Sequence, residues 1–215
     1  MGLFKSIFRG KDGDDESPRQ IASPTDLTVG DMLKMEFSAQ SLISGQTLKV
    51  TAQSFYDISS VENCKTVSTM EGADKPILLS KSSVNAERPL EVALLVLPDT
   101  VFDIFKQKKF AAIFDEPEDT DHRLSSKNSA QEIPGLEGFI AKSYFQERTN
   151  EAYRSDKDCR NQTLLDSQWT GFDYKLLVSD DRQHAVRIEV FDGGRTDVYL
   201  IAYLPLHQVA EYWPA

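Results

Sequence analysis

The clearest pattern in the chain runs from Trp169 to Leu204, where three apolar-alternating runs are separated by two polar turns. Phe172, Tyr174, Leu176 and Val178 alternate with Asp173, Lys175 and Ser179, the period of two of a half-buried strand, with Leu177 the one exception on the polar face. Val186, Ile188 and Val190 repeat the pattern against Arg187 and Glu189, and Val198, Leu200, Ala202 and Leu204 form a third stripe. The runs predict a three-stranded antiparallel meander. A slip of one residue turns a whole stripe toward water, so each turn is constrained in parity. Aligning the stripes requires an odd number of residues in both turns. The loop Asp192-Gly193-Gly194, whose glycines accept positive φ, satisfies the second, and the first, around Asp180 to Arg182, follows the same rule. The third run is apolar on its other face too, through Tyr199, Ile201 and Tyr203, which predicts cover by the protein itself on both sides.

Upstream, Leu33, Met35 and Phe37 alternate with Lys34 and Glu36, and Leu48, Val50 and Ala52 with Lys49, Thr51 and Gln53, so both read as strands. Ile77 to Leu79 and Val92 to Leu97 read as buried strands, the latter ended by Pro98-Asp99. Asp99 or Thr100 is placed to cap a helix through Lys109, with Val101, Phe102, Ile104 and Phe105 on its apolar side and Lys106, Lys108 and Lys109 at the favourable end of its dipole. Gly138 to Tyr144 returns as a strand, whereas Gln146 to Asn161 is polar and shows no strong period. Leu206, Val209, Ala210 and Trp213 fit a short final helix or turn on the sheet, and Trp169 and Trp213 are expected to be partly buried core residues. The fold class expected is α+β, mainly antiparallel β with the C-terminal meander and one or two short helices. Residues 26–215 form one globular domain in this reading, with a division near 115–135 into two lobes as its variant.

The first ten residues differ from everything that follows. Leu3, Phe4, Ile7 and Phe8 fall on one side of a helix, while Lys5, Arg9 and Lys11 are the only charges. The segment to Lys11 therefore carries three positive charges, and the remainder carries a formal −13 against −10 for the whole chain. Leu3, Phe4, Lys5, Ile7, Phe8 and Arg9 are the candidate contact residues for an anionic bilayer or a protein partner. The plainer alternative is a short helix docked by Phe4 and Phe8 on the protein's own core, or a frayed terminus. Residues 11–25, rich in Asp, Gly, Ser and Pro, read as a flexible linker.

Composition narrows the function classes. A net charge of −10 and a pI near 4.8 oppose a nonspecific grip on nucleic acid, which needs Lys and Arg to displace counterions. Cys64 and Cys159 show no CxxC spacing, so a reducing compartment is the default expectation. No apolar run reaches the roughly 20 residues of a membrane-spanning helix. The chain has no Gly-x-Ser-x-Gly elbow, Lys-Ser or Lys-Thr phosphate loop, or His-Glu-x-x-His pair. His122, His184 and His207 are scattered, and the acids from Asp115 to Asp121 beside His122 read as a solvated loop rather than a metal site. Glu189 and Asp192 near a hairpin end do acid/base work only if a cleft raises one pKa; the simpler reading is surface carboxylates. No cofactor or metal is expected.

Met1-Gly2-Leu3-Phe4, Asp26-Leu27-Thr28-Val29-Gly30-Asp31, Trp169-Thr170-Gly171-Phe172-Asp173-Tyr174 and Gly194-Arg195-Thr196-Asp197-Val198-Tyr199 together resemble the YjfK-like family of bacterial proteins, over most of the chain. These are folding motifs. The resemblance implies no activity and no catalytic residue, and family members are often encoded near membrane-stress proteins of the PspA type. The expectation is a cytoplasmic, noncatalytic interaction protein, peripheral at the inner membrane, with an unidentified protein partner and weak membrane contact. The alternative is a small-molecule or peptide binding module using a cleft between the C-terminal sheet and the segment from Leu27 to Phe114. An enzyme of unrecognised type ranks last.

Overall fold

The computed structural model describes residues 19–58, 62–82, 84–115 and 122–215. Two five-stranded meanders follow one another. The first contains β1 (Met32–Met35), β2 (Thr47–Ile58), β3 (Glu62–Glu71), β4 (Ile77–Lys81) and β5 (Leu90–Val96). Two short helices, α1 (Pro98–Ile104) and α2 (Gln107–Ala111), lead to the second, which contains β6 (Arg123–Ser125), β7 (Ser143–Ser155), β8 (Thr170–Ser179), β9 (His184–Phe191) and β10 (Thr196–Leu204). A final strand, β11 (Val209–Trp213), returns to pair with β1. The meanders join along β5 and β10 through seven residue pairs and along β2 and β7 through three, from Phe55↔Ser155 to Asp57↔Tyr153. Every neighbour is antiparallel, and the two seams close β2 to β5 and β7 to β10 into an eight-stranded barrel.

This overturns the α+β expectation with its open meander. The chain is mostly β, 46% strand against 17% helix, and the C-terminal strands are part of a closed wall. Closure gives the wall two faces. Arg187 of β9 lies 5.6 Å from the ring of Tyr56 on β2, three strands away around the wall, so those side chains meet across the interior. An eight-stranded barrel leaves just enough room for such side chains to fill it. The inward set includes Val67, Ala93, Phe172, Tyr174, Leu176, Val178, Ile201 and Tyr203. The outward set, including Val50, Met70, Val92, Leu94, Val186, Ile188 and Leu200, packs under Val101, Ile104, Phe105, Phe110, Phe139 and Ile140.

Parity explains which sequence expectations survive. Thr196 pairs with Val190 and Phe191 N donates to Arg195 O, leaving the three-residue loop Asp192-Gly193-Gly194 with φ of 82° and 84° at its glycines. Val186, Ile188, Val198 and Leu200 accordingly share the outer core, as expected, with Val190 packed against it. The first turn breaks the rule. Val178 pairs with Ala185 and the connection, residues 180–183, is even, so Phe172, Tyr174, Leu176 and Val178 face the interior together with Arg187 and Glu189. Leu177 opposite Val186 belongs to the outer core. Tyr199, Ile201 and Tyr203 receive their intramolecular cover from the barrel interior.

Other corrections have local causes. A bulge between Val50 and Ala52 lets β2 place Val50 outward and Tyr56 inward although both are even-numbered. The expected helix to Lys109 is split at Phe105, which is buried and bridges Ser126; its N-cap is Leu97, without a side-chain cap. The unassigned polar stretch after Gln146 is most of the 13-residue β7. Of the short final helix or turn expected, only a turn forms, at Leu206–Gln208, and Val209 to Trp213 continue as strand β11. Phe37 lies beyond β1 and is exposed. Trp169 and Trp213 are half-buried, and neither belongs to a core cluster.

Cys64 on β3 and Cys159 after β7, which lack CxxC spacing, form a disulfide across 95 positions. It bridges the neighbourhood of the short β2–β7 seam, where Arg160 also lies over the Phe55 ring at 5.5 Å. Closing a loop of this length stabilises the fold by about 4 to 5 kcal/mol in the chain-entropy model, reinforcing the seam with fewest pairs.

Candidate functional site

The barrel interior holds a charged cluster. Lys65 Nζ donates to Glu91 Oε2 at 2.8 Å and Arg187 Nη1 to Glu91 Oε1 at 3.3 Å. Arg187 Nε lies 3.0 Å from Glu189 Oε1, but off the N–H axis, and neither Glu189 oxygen accepts a hydrogen bond from a described residue. The guanidinium sits 4.4 Å from the centre of the Tyr199 ring. All four charged residues are buried, Glu189 completely. Burial alone raises the pKa of Glu91, but Lys65 and Arg187 more than reverse it and its carboxyl titrates below the ordinary range. Burial wins at Glu189, where Arg187 and Arg154 offset it only in part and the pKa goes up. Burial also opposes the Arg187 charge, but Glu189, Tyr56 and Glu91 raise its pKa, so it stays cationic. The expected surface pair is thus divided: Glu189 is inside, and Asp192 is exposed in the hairpin loop.

At the rim where β9 begins and β10 ends, a cleft of about 470 Å³ opens between the C-terminal sheet and residues 38–40 and 88. It brings together His184 and His207, which are scattered in sequence, with Arg88, Gln183 and Gln208. His184 Nε2 donates to Gly138 O at 3.1 Å, which leaves Nδ1 as a lone pair. Burial lowers the His184 pKa, with Arg88 adding to the effect against Asp181 and the Gly138 carbonyl, so the ring is held neutral. Around this cleft, Ser38 Oγ, His184 Nδ1 and Gln208 Oε1 are buried without a hydrogen-bond partner among the described residues. Buried polar atoms are rarely left so. Together they offer acceptors at His184 and Gln208, a hydroxyl donor at Ser38, and a cation at Arg88.

A second opening, an apolar groove of about 440 Å³, runs between α1, α2, the end of β5 and the start of β10. Val101 and Phe110 form its buried floor, and Phe102 and Phe114, 41% and 40% exposed, stand at its edges. The rings of Phe102 and Phe114 lie 6.2 and 5.6 Å from that of Phe110. A third cleft, on the outside of β2, β7 and β8, sets Trp169 and Tyr153 beside Asp57 and Asp166.

The predicted contact residues Leu3, Phe4, Lys5, Ile7, Phe8 and Arg9 lie outside the described residues, as do Glu116, Glu118, Asp119 and Asp121. Among the described residues no group of three or more His, Cys, Asp or Glu is arranged to hold a metal ion. Arg88 and Gln208 carried no motif; the signal that exposes them is spatial. Comparisons with protein-family models, curated proteins and solved structures found no match.

The interior carboxylates predict opposed pH slopes. Glu91, lowered on folding, contributes stability above its unfolded pKa that is lost as pH falls through its folded value. Glu189, raised on folding, favours the folded state below its unfolded pKa and loses that contribution as pH rises through its folded value. Urea midpoints of the wild type should pass through a maximum on the mildly acidic side. In Glu189→Gln the decline from that maximum toward neutral pH should flatten while the acid limb persists; an unchanged decline contradicts the assignment.

Proposed function

We propose that this protein is a noncatalytic binding module for a small polar molecule held in the rim cleft. The observation that carries the reading is that three partnerless buried polar atoms, Ser38 Oγ, His184 Nδ1 and Gln208 Oε1, and Arg88 belong to residues lining one cavity. Arg88 suits a carboxylate, while neutral His184 Nδ1 and Gln208 Oε1 accept from a hydroxyl or amine on the same molecule. A hydroxy- or amino-carboxylate meets both demands.

Thermal melts with tartrate, malate and glutamate test this reading. At ten times Kd a ligand stabilises by about 1.4 kcal/mol, roughly 3 to 5 °C for a chain of this size. At least one of the three should give such a shift, glycerol and spermidine should not, and Arg88→Met should abolish it. No shift with any carboxylate, or an equal shift in Arg88→Met, refutes the site.

A second reading is favoured by the charge break at Lys11. Arg19 is anchored on Asp31, so the preceding residues are tethered to a fixed point of an acidic body, and their apolar and basic side chains suit an anionic membrane surface. Contact should be weak, diminish with salt and vanish in Phe4→Ser/Phe8→Ser. Sedimentation with phosphatidylserine-containing vesicles checks it; equal partitioning of the wild type and that variant removes the support.

A further inference from the structure

The apolar groove beside α1 and α2 is left with its aromatic edges exposed, and the chain itself carries a segment of matching form. We infer that the groove is the docking site of the chain's own residues Leu3 to Phe8. The inference is independent of the rim cleft. The groove is floored by Val101 and Phe110 and edged by Phe102 and Phe114. Leu3 and Ile7, and Phe4 and Phe8, stand four apart, the spacing with which a short amphipathic helix lays one face into a groove.

Reach is sufficient. Ile21 packs against the outer core, and the turn Pro24–Asp26 packs against β4, the strand next to β5, whose end Val96 lines the groove. Adjacent strands are about 4.8 Å apart, while the 13 residues from Phe8 to Ile21 extend to roughly 43 Å. Charge complementarity favours the α1 side. Exposed Asp99 and Asp103 flank the lining residues of α1, opposite in sign to Lys5 and Arg9, whereas Lys106, Lys108 and Lys109 occupy α2. A tether of this length holds the segment at an effective concentration on the order of 1 mM. A segment that binds only at about 1 mM in trans is then half docked in cis. The groove thus stores the apolar face that the acidic body would otherwise leave in water.

The test uses the full chain with a nitroxide on Ser6→Cys; the native cysteines are joined to each other and leave the label a single site. Relative to a diamagnetic label, amide signals of Val101, Phe110 and Gly194 should broaden. The broadening should fall at least fivefold in Phe4→Ser/Phe8→Ser and in Phe102→Ser, a half-exposed position whose change leaves the core intact. Broadening that is absent at the groove, equally strong on β6 and β11, or retained in both variants overturns the proposal. Groove broadening without vesicles sustains docking even where the vesicle assay shows no membrane contact, so the two readings fail separately.

Discussion

An arginine that keeps its charge while wholly buried is the constraint around which this barrel is built. Arg187 extends into the interior from β9, donates to Glu91 of β5, lies beside Glu189 of its own strand and sits over the rings of Tyr199 and Tyr56 from β10 and β2. These partners come from widely separated points of the wall. They surround the guanidinium only when the wall is closed, and the closing seam between β2 and β7 has just three residue pairs. An open sheet would leave the charge without part of its cage. The cluster need not add net stability, since buried ion pairs often fall short of their desolvation cost; its contribution here is to make closure specific.

The same geometry places the rim cleft. Tyr203, opposite Glu91 in the β5–β10 register, lies at the edge of the charged interior and lines the cleft, while His184 starts the strand that carries Arg187. A neutral imidazole above a charged interior is the result of burial acting on one rim residue. The crossover between the meanders covers the outer core with α1 and α2, whose far edge makes the apolar groove. Polar cleft and apolar groove are thus separate consequences of one wall with two buried faces.

The strands around Val186, Leu200, Leu48 and Val92 were legible because their apolar stripes mark the outer core. Closure was not. Alternation identifies two faces but not which one points inward, and an interior containing Lys65, Glu91, Arg187 and Glu189 has the composition of a solvent face. Leu177 was the hint: the apparent exception on β8 lies on the face that joins the outer core. β7 escaped notice because its outward face is polar and its inward face includes Arg154, so neither face carries a stripe. His184 and His207 are 23 positions apart in the chain, and only the turn of β10 brings them to one cleft.

Equilibrium urea unfolding of Arg187→Met most directly tests whether this buried arginine holds the closed barrel. Methionine keeps apolar bulk but leaves Glu91 with Lys65 alone and Glu189 with no interior cation on its strand. Removing one member of a buried charged pair typically costs about 3 to 5 kcal/mol. That loss is expected, with amide exchange rising first along the β2–β7 seam. A midpoint within about 1 kcal/mol of the wild type, with the seam still protected, would contradict the account.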